Sequence, residues 1–174
     1  MNWWTESTPD NIKSVPWMHP AAVLYLESLL APDMTVIEHG CGGSTLWFAE
    51  RVRIVVSFEQ NREWYESFSN VPHTVTLVYE SVKFTPSKHM DERHDLLLID
   101  GFGKDRPEWI RTAHKIVKPG GVVVVDNSER PQYQQALGAL SAYCQRPLHI
   151  TGYTDYGKLV QTTFFRLKGG ESWI

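Results

Sequence analysis

The chain has 174 residues, 21% of them charged, and a formal net charge of −3. That length is one domain's worth, enough to bury a core without staples, and a slight negative charge with scattered Lys and Arg gives no electrostatic reason to expect nucleic acid as a partner. Cys41 and Cys144 stand far apart and outside any CxxC spacing, which excludes a zinc site or disulfide framework as the organising feature. No apolar run approaches the length of a membrane span, and the N-terminus lacks a basic-then-apolar signal, so a cytoplasmic protein with no membrane partner is expected.

Met1 to Pro20 is an arm rich in Trp, Pro and Ser with neither helical nor strand period. Trp3, Trp4 and Trp17 are too apolar for a solvated tail. They are expected on the domain surface or across a partner, as in a homodimer joined through this arm. Pro20 opens a helix, Ala21 to Leu30, that Pro32 ends. The preceding Trp17-Met18-His19 suits a hydrophobic staple against that helix.

The stretch Val36 to Gln60 organises the rest. Thr35-Val36-Ile37 is a short apolar run closing on Glu38, followed by a glycine turn, Gly40-Cys41-Gly42-Gly43. Ser44 and Thr45 open an amphipathic segment, Leu46 to Val52, and Ile54 to Phe58 is a second apolar run closing on Glu59, with Gln60 after it. Glycine lets backbone turn sharply and lie against a ligand without a Cβ in the way. The helix start beyond it offers free N–H groups and a positive dipole end. An acid at the tip of the second strand can accept both hydrogen bonds of a ribose diol. The pattern reads as a nucleoside-binding crevice in an open α/β sheet, although such turns also occur as plain tight turns. A dinucleotide fingerprint would place glycine where Thr45 stands, and gains nothing from Glu38 beside a pyrophosphate, so an NAD-dependent oxidoreductase is disfavoured.

Further on, Glu63 to Phe68 is an amphipathic helix, Asn70 to Pro72 break it, and Thr74 to Tyr79 alternates as a third strand ending on Glu80-Ser81. Lys83 to Arg93 is polar and loop-like, and His89 and His94 are expected at the surface. Asp95 to Asp100, followed by Gly101, is a buried parallel strand by its unbroken apolar run. Pro107 opens a helix through Val117, Lys118-Pro119-Gly120-Gly121 is a sharp stop, and Val122 to Val125 is another buried strand ending in Asp126-Asn127. Both strands finish on carboxylates at the edge where open α/β sheets bind ligands. A helix from Pro131 to Tyr143 and two β runs, Leu148 to Tyr153 and Leu159 to Leu167, complete the pattern, the runs joined by a hairpin-type loop at Thr154 to Lys158. The tail from Lys168 is expected to fray.

Glu38-x-Gly40-x-Gly42-Gly43, then DLLLIDG, a helix, KPGG and VVVVDN in that order, resemble the class I S-adenosylmethionine-dependent methyltransferases over roughly Ala21 to Asn127. The resemblance implies a Rossmann-like, doubly wound α/β fold: one domain over residues 1–174, a seven-stranded sheet, mostly parallel with a C-terminal antiparallel hairpin, and helices on both faces. It implies S-adenosylmethionine as cofactor. Glu38, Gly40, Gly42, Gly43, Ser44 and Thr45 would hold the methionine moiety, and Glu59 and Gln60 the ribose. Glu80 and Ser81 would flank adenine unless Glu80 is simply solvated, and Asp100 would sit between cofactor and acceptor. The segment before the first helix would cover cofactor or acceptor.

Methyl transfer from a sulfonium is an in-line displacement, so the protein mainly aligns the partners and excludes water. An oxygen acceptor must also lose a proton, to a base or under a metal's pull. The candidates for that work surround Asp100: Lys104 and Asp105 just beyond it, with Asp126 and Asn127 opposite. Asp100, Asp126 and Asn127 resemble the magnesium ligands of the catechol O-methyltransferase branch, and Lys104 lies near that branch's basic lysine, displaced by a Gly101-Phe102-Gly103 insert. Mg²⁺ with three hard oxygen ligands is one expectation; the alternative is that Asp126-Asn127 is a turn bonding its own backbone. The function expected is methyl transfer to a small-molecule acceptor, at oxygen, the alternative being a non-catalytic nucleoside- or partner-binding relative. Acceptor specificity is expected in the arm, Phe102 to Arg106, Ser128 to Tyr133 and Tyr153 to Tyr156.

Overall fold

The computed structural model describes residues 12–68, 71–79, 93–101, 104–153 and 157–169. The expectations for Trp3, Trp4, Glu80, Ser81, His89, Phe102 and the tip of the last hairpin lie outside those residues. The elements run α1 (Pro20–Ser28), β1 (Thr35–His39), α2 (Gly43–Ala49), β2 (Ile54–Glu59), α3 (Arg62–Ser67), β3 (Val75–Tyr79), β4 (His94–Ile99), α4 (Arg106–Ile116) and β5 (Val117–Val125). A short 3-10 helix (Pro131–Tyr133), α5 (Gln134–Ser141), β6 (Leu148–Tyr153) and β7 (Leu159–Arg166) follow.

The seven strands form one sheet in the order β3-β2-β1-β4-β5-β7-β6. The pairs from β3 to β5 are parallel, while β7 is antiparallel to both β5 and β6. The chain builds outward from β1 through β2 to β3, then returns to lay β4 on the other side of β1. That reversal opens a crevice at the carboxyl ends of β1 and β4.

Side-chain alternation sends successive residues of each strand to opposite faces. Ile37, Leu97, Ile99, Val123 and Val125 pack with Trp109, Ile110 and Ile116 of α4 and Leu137 and Leu140 of α5. Val36, Leu96, Leu98 and Val124 pack on the other face with Leu26 of α1 and Trp47 and Phe48 of α2. Strands covered on both faces have no polar side to show, which is why β4 and β5 read as continuous apolar runs.

Beyond shifts of a few residues at the helix ends, the structure departs from the sequence expectation in three places. The segment Lys118-Pro119-Gly120-Gly121 ends α4 but belongs to β5. His94 pairs with Val117 and Leu96 with Val122, so the extra residues bulge from the β4 ladder. They pair with the end of β7, where Leu167 N–H donates to the Gly121 carbonyl at 3.0 Å, and Gly120 supplies the positive φ of 77° that the bulge needs. The helix expected over Pro131 to Tyr143 is a 3-10 turn followed by an α-helix that stops at Ser141. His94 is not a surface residue: it opens β4 and is half-buried.

Candidate functional site

The first strand ends on a turn that only glycine can make. Gly40 has a φ of 96°, and a Cβ there would run into the backbone of Gly101 at the tip of β4. The two glycines let the tips of β1 and β4 touch backbone to backbone. Gly40 N–H donates to the Phe58 carbonyl of β2 at 2.8 Å, which ties the turn to the other neighbour. A Cβ on Gly43 would collide with the carbonyls of Lys13 and Val15, so the arm lies directly against the start of α2. Gly42 has open space where its Cβ would be.

The cavity at this edge has a volume of about 510 Å³. Its floor and one end are Gly40, Cys41, Gly42, Gly43 and Ser44, with Glu59, Asn61 and Trp64 beside them. Glu59 binds the turn together: its carboxylate accepts from Cys41 N–H at 3.1 Å, Gln60 N–H at 2.8 Å and Asn61 N–H at 2.7 Å. The Cys41 thiol lies beside the same carboxylate as a further donor. Asn61 caps α3 by accepting from Trp64 N–H at 3.1 Å, and Trp64 Nε1–H donates to the Cys41 carbonyl at 2.7 Å. Burial, with Glu59 and Glu38 nearby, pushes the Cys41 thiol well above its ordinary range, which leaves it without nucleophilic character.

Glu38 is fully buried and lies behind the wall rather than on it. Its carboxylate accepts from Ser44 Oγ at 2.6 Å and Ser57 Oγ at 3.0 Å. Burial pushes this carboxyl up to about 7; the hydroxyl bonds oppose the shift and Asp100 adds to it. Thr45 is likewise fully buried and receives Gly42 N–H at 2.9 Å. Of the three acids expected to converge, Glu59 and Asp100 share the cavity, and Glu38 reaches it only through Ser44, which does line it.

The other end lies over β5 and β7, where Asp126, Asn127, Arg130, Lys158 and Val160 line the wall. Between the ends stand Asp100 and Arg106, the last residue of a segment expected to set acceptor specificity and given no individual role by the sequence. The Arg106 side chain is 3% exposed. Its Nε–H donates to the Gly101 carbonyl at 2.9 Å, Nη1–H to the Asp126 carbonyl at 3.0 Å, and Nη2–H to the Asp100 carbonyl and to Asp100 Oδ1, the latter at 3.3 Å. The guanidinium also lies 5.3 Å from the Tyr133 ring. Burial raises the Asp100 carboxyl above its ordinary range, with Arg106, His39 and Arg130 opposing the shift. Asp126 is pushed up to about 7, by burial first and by the charge of Asp100 second, while Thr162 Oγ1, donating to Oδ1 at 2.6 Å, opposes it. Asn127 sits in the left-handed region with a φ of 51° and accepts from Arg130 Nη2–H at 2.6 Å.

These contacts test the expected metal. Arg106 brings a buried cation to Asp100, Thr162 donates to Asp126, and Arg130 donates to the amide oxygen of Asn127. The three would-be ligands are engaged by protein donors, two of them cationic, and do not fit a divalent ion. Lys104 and Gln60 are not among the cavity's lining residues; Lys104 is exposed, and the Gln60 amide is bonded to Asp105. Asp105 also faces the buried His39, Oδ1 to Nε2 at 3.5 Å. Burial acts to raise the Asp105 carboxyl, but His39 and Gln60 hold it below its ordinary range.

From the arm, Val15, Trp17, Met18 and His19 all reach the cavity. His19 does two things: Nδ1 accepts from Ala21 N–H at 3.3 Å, capping α1, and its ring packs against Gly152 of β6, where a Cβ would meet it. The segment therefore walls the crevice as well as opening the helix. Arg106 and Arg130 fall within the segments expected to set acceptor specificity, whereas Asn61, Trp64 and Lys158 were not singled out from the sequence. Only Asn61 carried a legible signal, as an Asx residue just before a helix.

No protein-family model matches the chain. It is 28% identical over 116 residues to a protein of Mycobacteroides abscessus named "Putative O-methyltransferase", an alignment covering 60% of this chain and 54% of that protein. The chain thus spans about half the length of that curated relative. Among solved structures it is similar to the O-methyltransferase TomG of Streptomyces achromogenes, solved in complex with SAM, with a TM-score of 0.65, 22% identity, and coverage of 84% of this chain and 77% of that one. It is also similar to an rRNA methylase of Streptococcus thermophilus, with a TM-score of 0.68, 12% identity, and coverage of 94% and 99%. The chain thus has the fold of these methyltransferases, with the glycine turn at the switch point of the sheet.

Proposed function

We propose that the chain binds S-adenosylmethionine and transfers its methyl group to a small-molecule acceptor, at oxygen. One observation carries the reading: a single crevice joins an open glycine turn with Gly42 and Ser44 at its wall, the Glu59 carboxylate, and a partly buried acid at Asp100. That sequence of groups suits adenosine linked to a charged amino acid. Gly42 leaves room for the methionine portion, Glu59 accepts from the ribose diol, and Asn61 and Trp64 flank the nucleoside. Asp100 stands between cofactor and acceptor.

When bound, the cofactor supplies a methyl group already activated by positive sulfur, so the chain's residues have two tasks left. Arg106 fixes Asp100 in place, and the arm helps exclude water. The acceptor hydroxyl must also give up its proton as its oxygen bonds to the methyl carbon and the carbon–sulfur bond breaks toward sulfur. Asp126, with its carboxyl near neutrality, is the proton acceptor in this reading. No step requires a metal.

The fold hosts RNA methylation as well as small-molecule methylation, so the fold does not itself exclude nucleic acid as acceptor. A small acceptor is favoured by the arm residues that narrow the crevice and by the net charge of −3. Among the described residues no helix is long and apolar enough to cross a membrane.

Calorimetry with S-adenosylhomocysteine tests the reading: binding is expected, and Glu59→Ala is expected to weaken it about tenfold or more. Unchanged affinity in the variant would remove Glu59 from the site. Labelled S-adenosylmethionine over a panel of acceptors tests transfer, and binding without turnover on any of them would favour a non-catalytic relative.

A further inference from the structure

The acceptor end of the cavity has a chemical character of its own. Its walls over β5 and β7 carry Arg130 and Lys158, while Val160 and the arm's Trp17 and Met18 are apolar. Arg106 is spoken for, since its donors are directed at the Gly101, Asp100 and Asp126 carbonyls and at Asp100 Oδ1. Arg130 is placed differently. Its side chain makes one hydrogen bond, Nη2–H to Asn127 Oδ1 at 2.6 Å, and a guanidinium carries five N–H donors in a planar fork. Donors therefore remain for something in the cavity it lines. Its charge is felt at Asp100, which puts the guanidinium close to where an acceptor would sit.

Asn127 makes this placement specific. It is the single described non-glycine residue with positive φ, a conformation that costs energy and collects at functional sites. Asn127 holds the first turn after β5, and its side chain anchors the Arg130 guanidinium at the cavity wall rather than in solvent. Lys158, just before β7, brings a second positive charge to the same end. Trp17 is 58% exposed although it lines the cavity, so a large flat apolar surface stands uncovered opposite polar groups. In a lined crevice a buried carboxylate gains most from an arginine fork, and an aromatic body gains most from an indole face.

We propose that the acceptor is a small molecule with an oxyanion, a carboxylate or a phosphate ester, held by the Arg130 fork with the charge of Lys158 at the same end, on an apolar, flat body that lies against Trp17 and Val160. This rests on the reading that the other end of the cavity takes S-adenosylmethionine. Bound in this way, the anion anchors the acceptor at the β5–β7 end and leaves its hydroxyl directed toward Asp100 and Asp126. The anion sets the choice of acceptor, and the two acids serve the transfer.

The test uses the full chain saturated with S-adenosylhomocysteine, whose own binding is measured first. Hydroxybenzoates, hydroxycinnamates and phenyl phosphates are titrated, each beside a neutral amide or ester of the same skeleton. The expected result is that at least one oxyanion binds about tenfold more tightly than its neutral counterpart, and that Arg130→Gln and Lys158→Gln each cut that preference about threefold or more. S-adenosylhomocysteine affinity is expected to be the same in both variants, which separates a lost acceptor site from a misfolded cavity. The carboxylate and phosphate arms tell which oxyanion is preferred. Anions binding no better than neutral analogues, or a preference that survives both substitutions, would overturn the proposal while leaving the cofactor reading intact. Tight binding of a short RNA that depends on Arg130, without any small-anion preference, would overturn it in favour of a nucleic-acid acceptor. Failure to bind S-adenosylhomocysteine would remove both.

Discussion

Ser44 Oγ donates to Glu38 Oε1 at 2.6 Å, and through that bond a fully buried carboxylate reaches the cavity wall. Its other oxygen receives Ser57 Oγ from β2. Glu38 thus pins the start of α2 to the tip of the sheet. Burial raises its carboxyl from 4.5 to about 7, so the ionised form is disfavoured in the folded state. The stability this group contributes is fully present below about pH 4.5 and is lost as pH rises toward 7. Glu38→Gln keeps the shape and removes the titration. In urea unfolding, the wild type should lose about 2–3 kcal/mol relative to Glu38→Gln between pH 5 and pH 8. Parallel pH profiles for the two proteins would show that Glu38 is not buried as described. Asp126 is present in both and cancels in the comparison.

The glycines of the first turn should separate into two classes. At Gly40, positive φ and the Gly101 backbone together forbid a Cβ, so Gly40→Ala is expected to cost about 2 kcal/mol or more of stability. At Gly42 the backbone is extended and the space beyond is open. Gly42→Ala should leave stability within about 1 kcal/mol of wild type, while S-adenosylhomocysteine affinity falls, because the new methyl projects where the ligand would lie. Denaturation and calorimetry on the same two variants check both halves. Equal losses of stability would remove the distinction.

The strands were legible because both faces of the sheet are covered. Val36-Ile37, Leu96 to Ile99 and Val122 to Val125 have no polar face, and a run of that kind between turn signals has few other homes. The acids at the strand tips were legible as residue types, but their depth was not. Glu38 and Glu59 occupy the same position in the pattern, yet one sits behind Ser44 and the other on the wall. Which acid faces a ligand depends on how the glycine turn folds back over the sheet, and spacing does not encode that. The same limit explains Lys104 and Arg106. Two residues apart after a glycine-containing insert, Lys104 reads as the basic residue of the resemblance and Arg106 as the end of an acceptor-specificity segment. Arg106, at the start of α4, lies under the tips of β4 and β5, and Lys104 stands outside. The KPGG segment was correctly read as a helix stop, but its pairing with the far end of β7 is a contact across the chain that no local pattern announces.

The contacts around Asp100, Asp126 and Asn127 give an expectation about metal. Titration of the wild type with millimolar Mg²⁺ should show no saturable binding, because Arg106 and Arg130 already bring positive charge to these oxygens. S-adenosylhomocysteine affinity should be the same in EDTA as in Mg²⁺. A stoichiometric Mg²⁺ site that Asp126→Asn abolishes would contradict this and return those residues to the role of ligands.

Arg106 itself should matter more to folding than any other side chain of the cavity. Its guanidinium is buried, reaches the carbonyls of Gly101 and Asp126 and both the carbonyl and carboxylate of Asp100, and lies against Tyr133. Removing it leaves those acceptors, one of them an acid that burial already disfavours in its charged form, without their donor. Breaking a buried pair from one side costs about 3–5 kcal/mol, and Arg106→Gln is expected to lose stability in that range. Arg106→Lys keeps the charge but has no planar fork, so it should recover only part of the loss. Double substitution with Asp100→Asn separates the ion pair from the carbonyl bonds. A large coupling would assign the cost to Asp100, and near-additivity would assign it to the carbonyls at the tips of β4 and β5. A loss under about 1 kcal/mol for Arg106→Gln would mean that the strand tips are held together without it.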